Sequence, residues 1–193
     1  MNAHTSGPRA LVVYESMFGN TERIARAVSD GLRDSGFEVT CTDVRDTELG
    51  VPVGADLLVV GAPTHAFSLS RPRTRADALR QGAAADHAEV GLREWLWQSR
   101  PDPSLNAPLA AVFDTRVSRV RRLPGAARKA ARLARHRGFE PVGAPGAFLV
   151  EGTPGPLNAG ETVRATHWAE SIARTCLERR GLAPARTEDD ART

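Results

Sequence analysis

The sequence is poor in the residue types on which disulfide scaffolds, zinc modules and membrane proteins depend. Among its 193 residues there are only two cysteines, Cys41 and Cys176, which excludes a disulfide framework and a structural zinc site. It contains no run of about 18 apolar residues, so no membrane span is expected. The first eight residues lack the charged and apolar regions of a secretion signal. We therefore expect a cytoplasmic protein without membrane contact.

Lysine and tyrosine are also scarce, since Lys129 is the only lysine and Tyr14 the only tyrosine. The absence of a Gly-Lys-Ser or Gly-Lys-Thr sequence argues against a P-loop and nucleoside triphosphate hydrolysis. The formal net charge is only +3, but the charge is unevenly distributed. Residues 116–137 carry nine basic side chains and no acidic one. The excess of positive charge therefore belongs to one short segment.

Short apolar runs alternate with amphipathic helical patterns along most of the chain. The runs predicted as strands are residues 9–14, 37–44, 56–62, 109–113 and 146–150. The patterns predicted as helices are residues 21–35, 90–98, 124–137 and 161–179. Such an alternation is typical of an α/β fold, with a parallel sheet and helices on both of its faces.

The remaining segments suggest how the chain is organised. We expect one domain over residues 9–180, a disordered N-terminus over 1–8 and a disordered tail over 181–193. A short helix is expected around residues 46–49. Residues 68–88 form the longest segment without a strong pattern and are predicted as a loop, which Pro72 should keep extended. Three arginines of this loop are candidates to line a binding site: Arg71, Arg73 and Arg75.

The loop after the first predicted strand has the composition of a phosphate-binding site. It reads Ser16-Met17-Phe18-Gly19-Asn20-Thr21, and a helix follows at once. Ser16 and Thr21 offer hydroxyl groups, while Gly19 and Asn20 tolerate the left-handed backbone that lets several N–H groups converge. The start of the helix adds free N–H groups and a positive dipole. An ordinary helix cap formed by Asn20 and Thr21 is the alternative interpretation.

Other functions of such a loop lack the residues that they need. A dinucleotide-binding loop requires Gly-x-Gly-x-x-Gly, which is absent. A thiol phosphatase requires a cysteine in the loop, and there is none. A receiver domain requires an acidic pair after the first strand, whereas Glu15 stands alone there. Phosphate binding without hydrolysis therefore remains the leading interpretation.

Residues 12–28 resemble the FMN-binding signature of the flavodoxin family. The signature asks for two apolar residues and an aromatic one, met by Val12, Val13 and Tyr14, and then for Ser or Thr, a small residue and Thr, met by Ser16, Gly19 and Thr21. An alanine, Ala25, follows four residues later. The resemblance implies a three-layer sandwich with a five-stranded parallel sheet of order 2-1-3-4-5. It also implies a noncovalently bound FMN whose phosphate lies on residues 16–21.

In this family two further loops flank the flavin ring. The loop after the third predicted strand contains Pro63, Thr64, His65 and Phe67. The resemblance makes His65 or Phe67 a candidate to stack on the ring and Thr64 a candidate to bond it. His65 is also the best candidate for a general acid or base. An exposed loop histidine and a phenylalanine packed in the core are the respective alternatives.

The loop after the fourth predicted strand begins with Asp114, Thr115 and Arg116. The backbone of Asp114 or Thr115 is a candidate to bond the pyrimidine edge of the ring, and Arg116 is expected beside that edge. Electron-carrying flavodoxins usually have a Gly-Asp sequence and a stacking tyrosine here, and this chain has neither. The second face of the ring thus lacks its usual aromatic cover.

The basic segment 116–137 has three interpretations. Its arginines form a solvated surface that offsets acidic neighbours, or they raise the reduction potential of the flavin and attract anions, or they bind nucleic acid. Nucleic-acid binding is disfavoured because the segment is short and lacks interleaved aromatic residues.

The resemblance implies an FMN-binding redox protein, either an electron carrier or a flavin-dependent reductase. Its partner would be a redox protein or a small acceptor such as a quinone, and a homodimer is left open. The alternative is a flavodoxin-like domain without flavin that acts as a binding or regulatory module.

Overall fold

The core of the molecule is a parallel β-sheet built from the apolar runs of the sequence. The computed structural model describes residues 7–49, 52–83, 90–102 and 108–181. Its strands are β1 (Arg9–Tyr14), β2 (Glu38–Asp43), β3 (Pro52–Val53), β4 (Leu57–Pro63), β5 (Arg100–Pro101), β6 (Leu109–Val117), β7 (Glu140–Pro141) and β8 (Gly146–Val150). The main sheet has the order β2-β1-β4-β6, and both β7 and β8 pair with the outer edge of β6. Its five long strands therefore follow the predicted order 2-1-3-4-5, which is confirmed.

In the described part of the chain, the strands are accompanied by five α-helices and two 3-10 turns. The helices are α1 (Asn20–Asp34), α2 (Pro72–Arg80), α3 (Leu92–Gln98), α4 (Ala126–His136) and α5 (Glu161–Arg180). The 3-10 turns are Val44–Asp46 and Ser118–Val120. None of the helices in the described part of the chain is long and apolar enough to cross a membrane.

The alternation of side chains along the strands gives the sheet two apolar faces, and each face is covered by helices. On one face, Val12, Val59 and Phe113 pack with residues of α1 and α5. On the other face, Val13 and Val60 pack with residues of α3 and α4. This is the predicted three-layer sandwich, and it arises because a parallel sheet must bury both faces.

The prediction of a loop over residues 68–88 is wrong for nine residues, because α2 occupies Pro72–Arg80. Pro72 does not keep this segment extended. It is the first helical residue, a position where its missing N–H costs nothing and its fixed φ suits a helix. Residues 84–88 of the predicted loop lie outside the described residues.

Smaller differences concern the ends of other elements. The short helix expected near residues 46–49 lies earlier, at Val44–Asp46. Helix α4 begins at Ala126 rather than at Pro124, with Gly125 as the residue before its first turn. Residues 1–6 and 182–193, which include most of the two predicted disordered ends, lie outside the described residues.

The sheet topology brings three strand ends together. Tyr14 pairs with Gly61, Gly61 with Phe113 and Pro63 with Thr115. The loops that follow β1, β4 and β6 therefore leave the sheet side by side at its carboxyl edge. In open parallel sheets this is the edge where ligands bind.

Candidate functional site

The loop between β1 and α1 forms a turn whose residues line one small space. Gly19 has a φ of 78°, which is the left-handed conformation that favours glycine. Its carbonyl accepts the first helical bond, from the N–H of Arg23 at 3.0 Å. The hydroxyl of Ser16 accepts the N–H of Glu22 at 3.2 Å. Ser16 thus caps the helix, which fixes the loop against the start of α1.

The amide groups of residues 17–21 form no hydrogen bond with the described part of the protein. Among the described residues, no acceptor lies within hydrogen-bond distance of the N–H groups of residues 17–21. Met17, Asn20 and Thr21 are buried, whereas Phe18 and Gly19 are partly exposed. Buried donors without partners are rare in native proteins and call for an external acceptor. An anion such as a phosphate supplies several acceptor oxygens at once.

Two side-chain contacts close the walls of the loop. The hydroxyl oxygens of Thr21 and Thr115 lie 2.8 Å apart, which joins the start of α1 to β6. The amide of Asn20 donates to the carbonyl of Pro154 at 3.0 Å, which brings the loop after β8 over the site. The second contact spans 134 positions of the sequence, and no local pattern predicts it.

The space enclosed by these loops has a volume of about 70 Å³. By the same measure one water needs roughly 10–15 Å³, so the space holds a group of several heavy atoms such as a phosphate. Its wall includes most of the residues predicted from the sequence: Ser16, Met17, Phe18, Asn20, Thr21, Pro63, Thr64, His65, Thr115 and Arg116. Gly19, Phe67 and Asp114 do not belong to the wall, while Val117, Val150 and Thr153 do.

The loop after β4 is a tight hairpin with an unusual backbone. His65 and Ser68 exchange both backbone hydrogen bonds, at 2.9 and 3.0 Å. The two residues between them, Ala66 and Phe67, have φ values of 46° and 63°. Positive φ at both positions is the pattern of a type I′ turn, which normally takes Asn-Gly or Gly-Gly. Neither residue is glycine, so this turn is strained. Phe67 lies at the tip of the hairpin, with 49% of its surface exposed.

Replacement of Ala66 by glycine is expected to raise the free energy of unfolding by about 0.5–1 kcal/mol, because glycine adopts positive φ without steric cost. Ala131 lies inside α4, where the same substitution is expected to lower stability by about 1 kcal/mol. Chemical denaturation of the two variants checks this difference in sign. A destabilised Ala66→Gly variant would show that the hairpin is not strained.

Thr64 does not offer its backbone N–H to a ligand. That N–H donates to the carbonyl of Thr115 at 2.8 Å and so extends the pairing of β4 with β6. The hydroxyl of Thr64 accepts the N–H of Ala126 at 3.0 Å and caps the start of α4. The hydroxyl hydrogen is therefore the only donor that Thr64 has left for a ligand.

Asp114 and Arg116 form a buried ion pair rather than an open binding edge. Nε of Arg116 lies 2.6 Å from one carboxylate oxygen of Asp114, and Nη2 lies 2.7 Å from the other. The carboxylate also accepts the N–H of Ala127 at 2.8 Å. A Cβ atom at Gly125 would lie 2.2 Å from this carboxylate, so only glycine fits there. The charge of Arg116 is therefore largely compensated where the sequence led us to expect a free cation.

His65 lies at the rim of the cavity and is half-buried. Burial lowers the pKa of its imidazole below the ordinary value, with Arg75 acting in the same direction and a hydrogen bond with the Thr74 backbone and the charge of Asp77 acting against it. The side chain is therefore neutral at pH 7, a state in which one ring nitrogen accepts a hydrogen bond and the other donates one. Its role as an acid or base stays a prediction.

Tyr14 is buried in β1, and burial raises the pKa of its hydroxyl to about 12. It is not available to stack on a ligand at the surface. Since it is the chain's only tyrosine, an aromatic cover would have to come from another residue type. Phe67 is an exposed aromatic residue on the hairpin beside the cavity rim.

The arginines of the segment around α2 do not act together. Arg75 is fully buried and donates to Ser70 and Glu94, each at 3.1 Å. Arg71 and Arg73 are exposed, and Arg71 precedes α2. The prediction that the three line one mouth is therefore wrong for Arg75, which belongs to the interior.

Glu15, which precedes the phosphate-binding loop, lies in a buried polar cluster that sequence reasoning missed. Its Oε2 accepts the N–H of Leu92 at 2.8 Å, while Oε1 has no partner among the described residues. Burial raises the pKa of this carboxyl above its ordinary value, although Ser70, the Leu92 N–H and Arg75 act in the opposite direction. The sequence signal was a lone charged residue at the end of an apolar strand.

A raised carboxyl pKa makes stability depend on pH in a defined direction. Folded Glu15 holds its proton more tightly than the unfolded chain, whose carboxyl titrates near pH 4.3. The stabilisation that this group adds to the free energy of unfolding is therefore fully present below that pH. It is lost as the pH rises through the pKa of the folded state. We expect a Glu15→Gln variant to lack this decline and to gain stability relative to the wild type as the pH rises. Denaturation curves at several pH values check this, and parallel profiles for the two proteins would contradict it.

Comparison with known proteins points to one family. Residues 12–88 match the family model described as flavodoxin. A curated relative, "Probable flavodoxin 1" of Bacillus subtilis (strain 168), is 32% identical over 56 residues, which are 29% of this chain and 35% of the relative. The match thus spans about a third of the curated relative's length.

Solved flavodoxin structures share the fold over nearly their full length. The flavodoxin of Streptococcus pneumonia TIGR4 is 22% identical, with a TM-score of 0.59 over 89% of this chain and 99% of that one. A flavodoxin from the domain Archaea is 16% identical, with a TM-score of 0.58 over 87% and 98% of the two chains. These identities are low, so the structures establish the fold. The match of residues 12–88 adds a similarity to the flavodoxin family over that part of the chain.

Proposed function

We propose that this protein binds FMN, with the phosphate held by residues 16–21, and carries electrons to a redox protein or a small acceptor such as a quinone. Bound FMN supplies the reversible redox chemistry, and the protein supplies position and electrostatics. The proposal includes a cytoplasmic location, in keeping with Cys41 and Cys176, which are both free thiols.

The observation that carries the proposal is the set of unpartnered amide groups in residues 17–21. Met17, Phe18, Asn20 and Thr21, which carry four of these donors, line a space of about 70 Å³ at the start of α1, large enough for a phosphate group. The helix dipole favours negative charge at this point, and no basic side chain is needed. A simple helix cap would leave these donors without acceptors.

The rest of the cofactor would lie outside the small cavity, at its rim. Pro63, Thr64 and His65 form one side of that rim, and Thr115 and Arg116 form another. We propose these residues as the ones that meet the remainder of the cofactor, with Phe67 as an aromatic cover supplied by the hairpin. His65 would do so as a neutral side chain. Because Asp114 compensates Arg116, we expect Arg116 to alter the reduction potential less than a free arginine would.

The phosphate assignment is tested by a Thr21→Val variant. Loss of a hydroxyl that bonds a charged phosphate is expected to weaken FMN binding roughly 10- to 100-fold, since such bonds contribute about 1.5–3 kcal/mol. Titration followed by flavin fluorescence measures the affinity. The matched control is Thr47→Val, because the Thr47 hydroxyl donates to the Val44 carbonyl away from the site. Equal affinities of both variants and the wild type would remove Thr21 from the phosphate site.

A second candidate function is a flavodoxin-like binding module that holds no flavin. The observation that favours it is the lack of a tyrosine at the end of β6, where Asp114 and Arg116 instead bond each other. Such a module would retain the fold and the loop but would not bind FMN at micromolar concentrations.

A further inference from the structure

The exposed surface of α4 and of the turn before it carries many cations that have no acidic partner. We call this surface the cationic face, and its exposed members are Arg119, Arg121, Arg122, Arg128, Lys129, Arg132 and Arg135. None of them forms an ion pair with any carboxylate in the described part of the chain. Direct ion pairs with acidic neighbours are therefore not what holds these side chains among the described residues. Unpaired cations at this density attract an external partner of negative charge.

A groove of about 710 Å³ between α3 and α4 borders the cationic face. Lys129 and Arg132 line one of its sides and Arg93 lines the other, while Leu69 and Leu133 contribute apolar surface. The guanidinium of Arg93 bonds the Ser70 and Leu69 carbonyls and the Ser68 hydroxyl, and no carboxylate pairs with it in the described residues. Because Arg93 lines the groove, these bonds also hold the hairpin that carries Phe67 next to the groove.

Glu94, an acidic residue that lines the groove, does not cancel the positive charge of the groove. Glu94 is held by Arg75, at 3.1 Å, and by the N–H of Gly91, also at 3.1 Å. Its charge is thus compensated by a buried arginine, and the groove presents the cations of Arg93, Lys129 and Arg132 to solvent. An acidic ligand would meet favourable charge along its whole length.

Exposed apolar side chains accompany these cations: Trp97 lines the groove with Lys129 and Arg132, Leu123 lies beside Arg121 and Arg122, and Phe67 belongs to the hairpin that Arg93 bonds. Phe67, Trp97 and Leu123 are 49%, 55% and 46% exposed, and they belong to the hairpin, to α3 and to the turn before α4. Arginine and large aromatic residues are the types enriched at the centres of protein interfaces. The combination therefore favours a protein partner over a solvated charged surface.

Two observations argue against other classes of ligand. Trp97 stacks on His136 at 5.8 Å between ring centroids, and the guanidinium of Arg137 lies 5.8 Å from the same ring. The ring is therefore not a free platform for a nucleobase, as single-stranded nucleic acid would require. The cations also continue beyond the groove along α4, whose 11 residues span about 16 Å. A row of charges of this length is longer than a small ligand could contact.

We propose that the cationic face and the α3–α4 groove form the docking surface for a redox partner protein with an acidic surface. An apolar side chain of the partner enters the groove, and its carboxylates meet Lys129, Arg132 and the arginines beside them. This proposal rests on the proposed function for the redox character of the partner. It places the docked protein against the hairpin of the candidate cofactor site.

The test uses two haem proteins of opposite charge as probes, acidic cytochrome b5 and basic cytochrome c. Calorimetry measures the affinity of each probe for the wild type at low and at physiological ionic strength. We expect binding of cytochrome b5 alone, with an affinity that falls at least tenfold as salt is added. Reversal of charge in a Lys129→Glu/Arg132→Glu variant should weaken the binding of cytochrome b5 at least tenfold. The control, Arg33→Glu/Arg174→Glu, carries the same charge change on α1 and α5 and should stay within twofold of the wild type.

Several outcomes would overturn the proposal. These are equal affinities for the two probes, an equal loss in the control variant, or tight binding of a 20-base-pair DNA duplex at physiological salt without binding of cytochrome b5. A separate readout isolates the proposed function: FMN-loaded, chemically reduced protein should convert the ferric haem of cytochrome b5 to ferrous by transfer of one electron. Binding without this haem reduction would leave the surface in place and would contradict the redox function.

Discussion

Replacement of Asp114 by alanine is expected to lower the free energy of unfolding by about 3–5 kcal/mol, the cost of breaking a buried ion pair from one side. The carboxylate is completely buried and accepts three hydrogen bonds, two from Arg116 and one from the N–H of Ala127. Its loss leaves a nearly buried guanidinium without a counter-charge and the first turn of α4 without its acceptor. Urea denaturation measures the change.

An exposed ion pair provides the control. Asp30 pairs with Arg33 on the surface of α1 at 2.9 Å, and both side chains are about half exposed or more. Asp30→Ala is expected to cost less than about 1 kcal/mol, because water and salt screen such pairs. Similar costs for the two variants would mean that the pair of Asp114 and Arg116 is not buried in solution and that Arg116 is free to act on a ligand.

Riboflavin, which lacks the phosphate of FMN, is expected to bind the wild-type protein about 1,000-fold more weakly than FMN. Residues 17–21 offer five unpartnered N–H groups, and each bond to a charged oxygen contributes about 1.5 kcal/mol or more. Three such bonds amount to about 4.5 kcal/mol, which corresponds to a factor of at least about 1,000. The interaction with the start of α1 adds to it.

Parallel fluorescence titrations with the two flavins measure this ratio. Inorganic phosphate should compete with FMN but should not affect riboflavin, because it occupies only the phosphate site. Equal affinities for FMN and riboflavin would contradict the assignment of residues 16–21, even if the protein holds a flavin elsewhere.

Much of the fold follows from local patterns. The run 9–14 and the helix 21–35 are predicted nearly to the residue, because their apolar spacing agrees with the turn residues at their ends. Helix α2 escapes prediction because its buried residues include Arg75 in place of an apolar one. A buried arginine reverses the usual relation between charge and exposure, so the hydrophobic period of the helix is hidden.

The candidate site shows the same division. The amide-rich loop is visible in the sequence because its residue types alone require a special backbone. The pair of Asp114 and Arg116 could also have been predicted from the sequence, since residues two positions apart on a strand share a face. The bonds from Thr64 to Ala126 and from Asn20 to Pro154 join distant parts of the chain, and no local pattern contains them.

The most direct test of the proposed function is a titration of the purified protein, freed of any bound flavin, with FMN. The function proposed here predicts one FMN bound per chain with submicromolar affinity, quenched flavin fluorescence and a yellow protein after removal of free cofactor. A colourless protein that leaves the fluorescence of micromolar FMN unchanged would contradict it and would favour the flavin-free binding module.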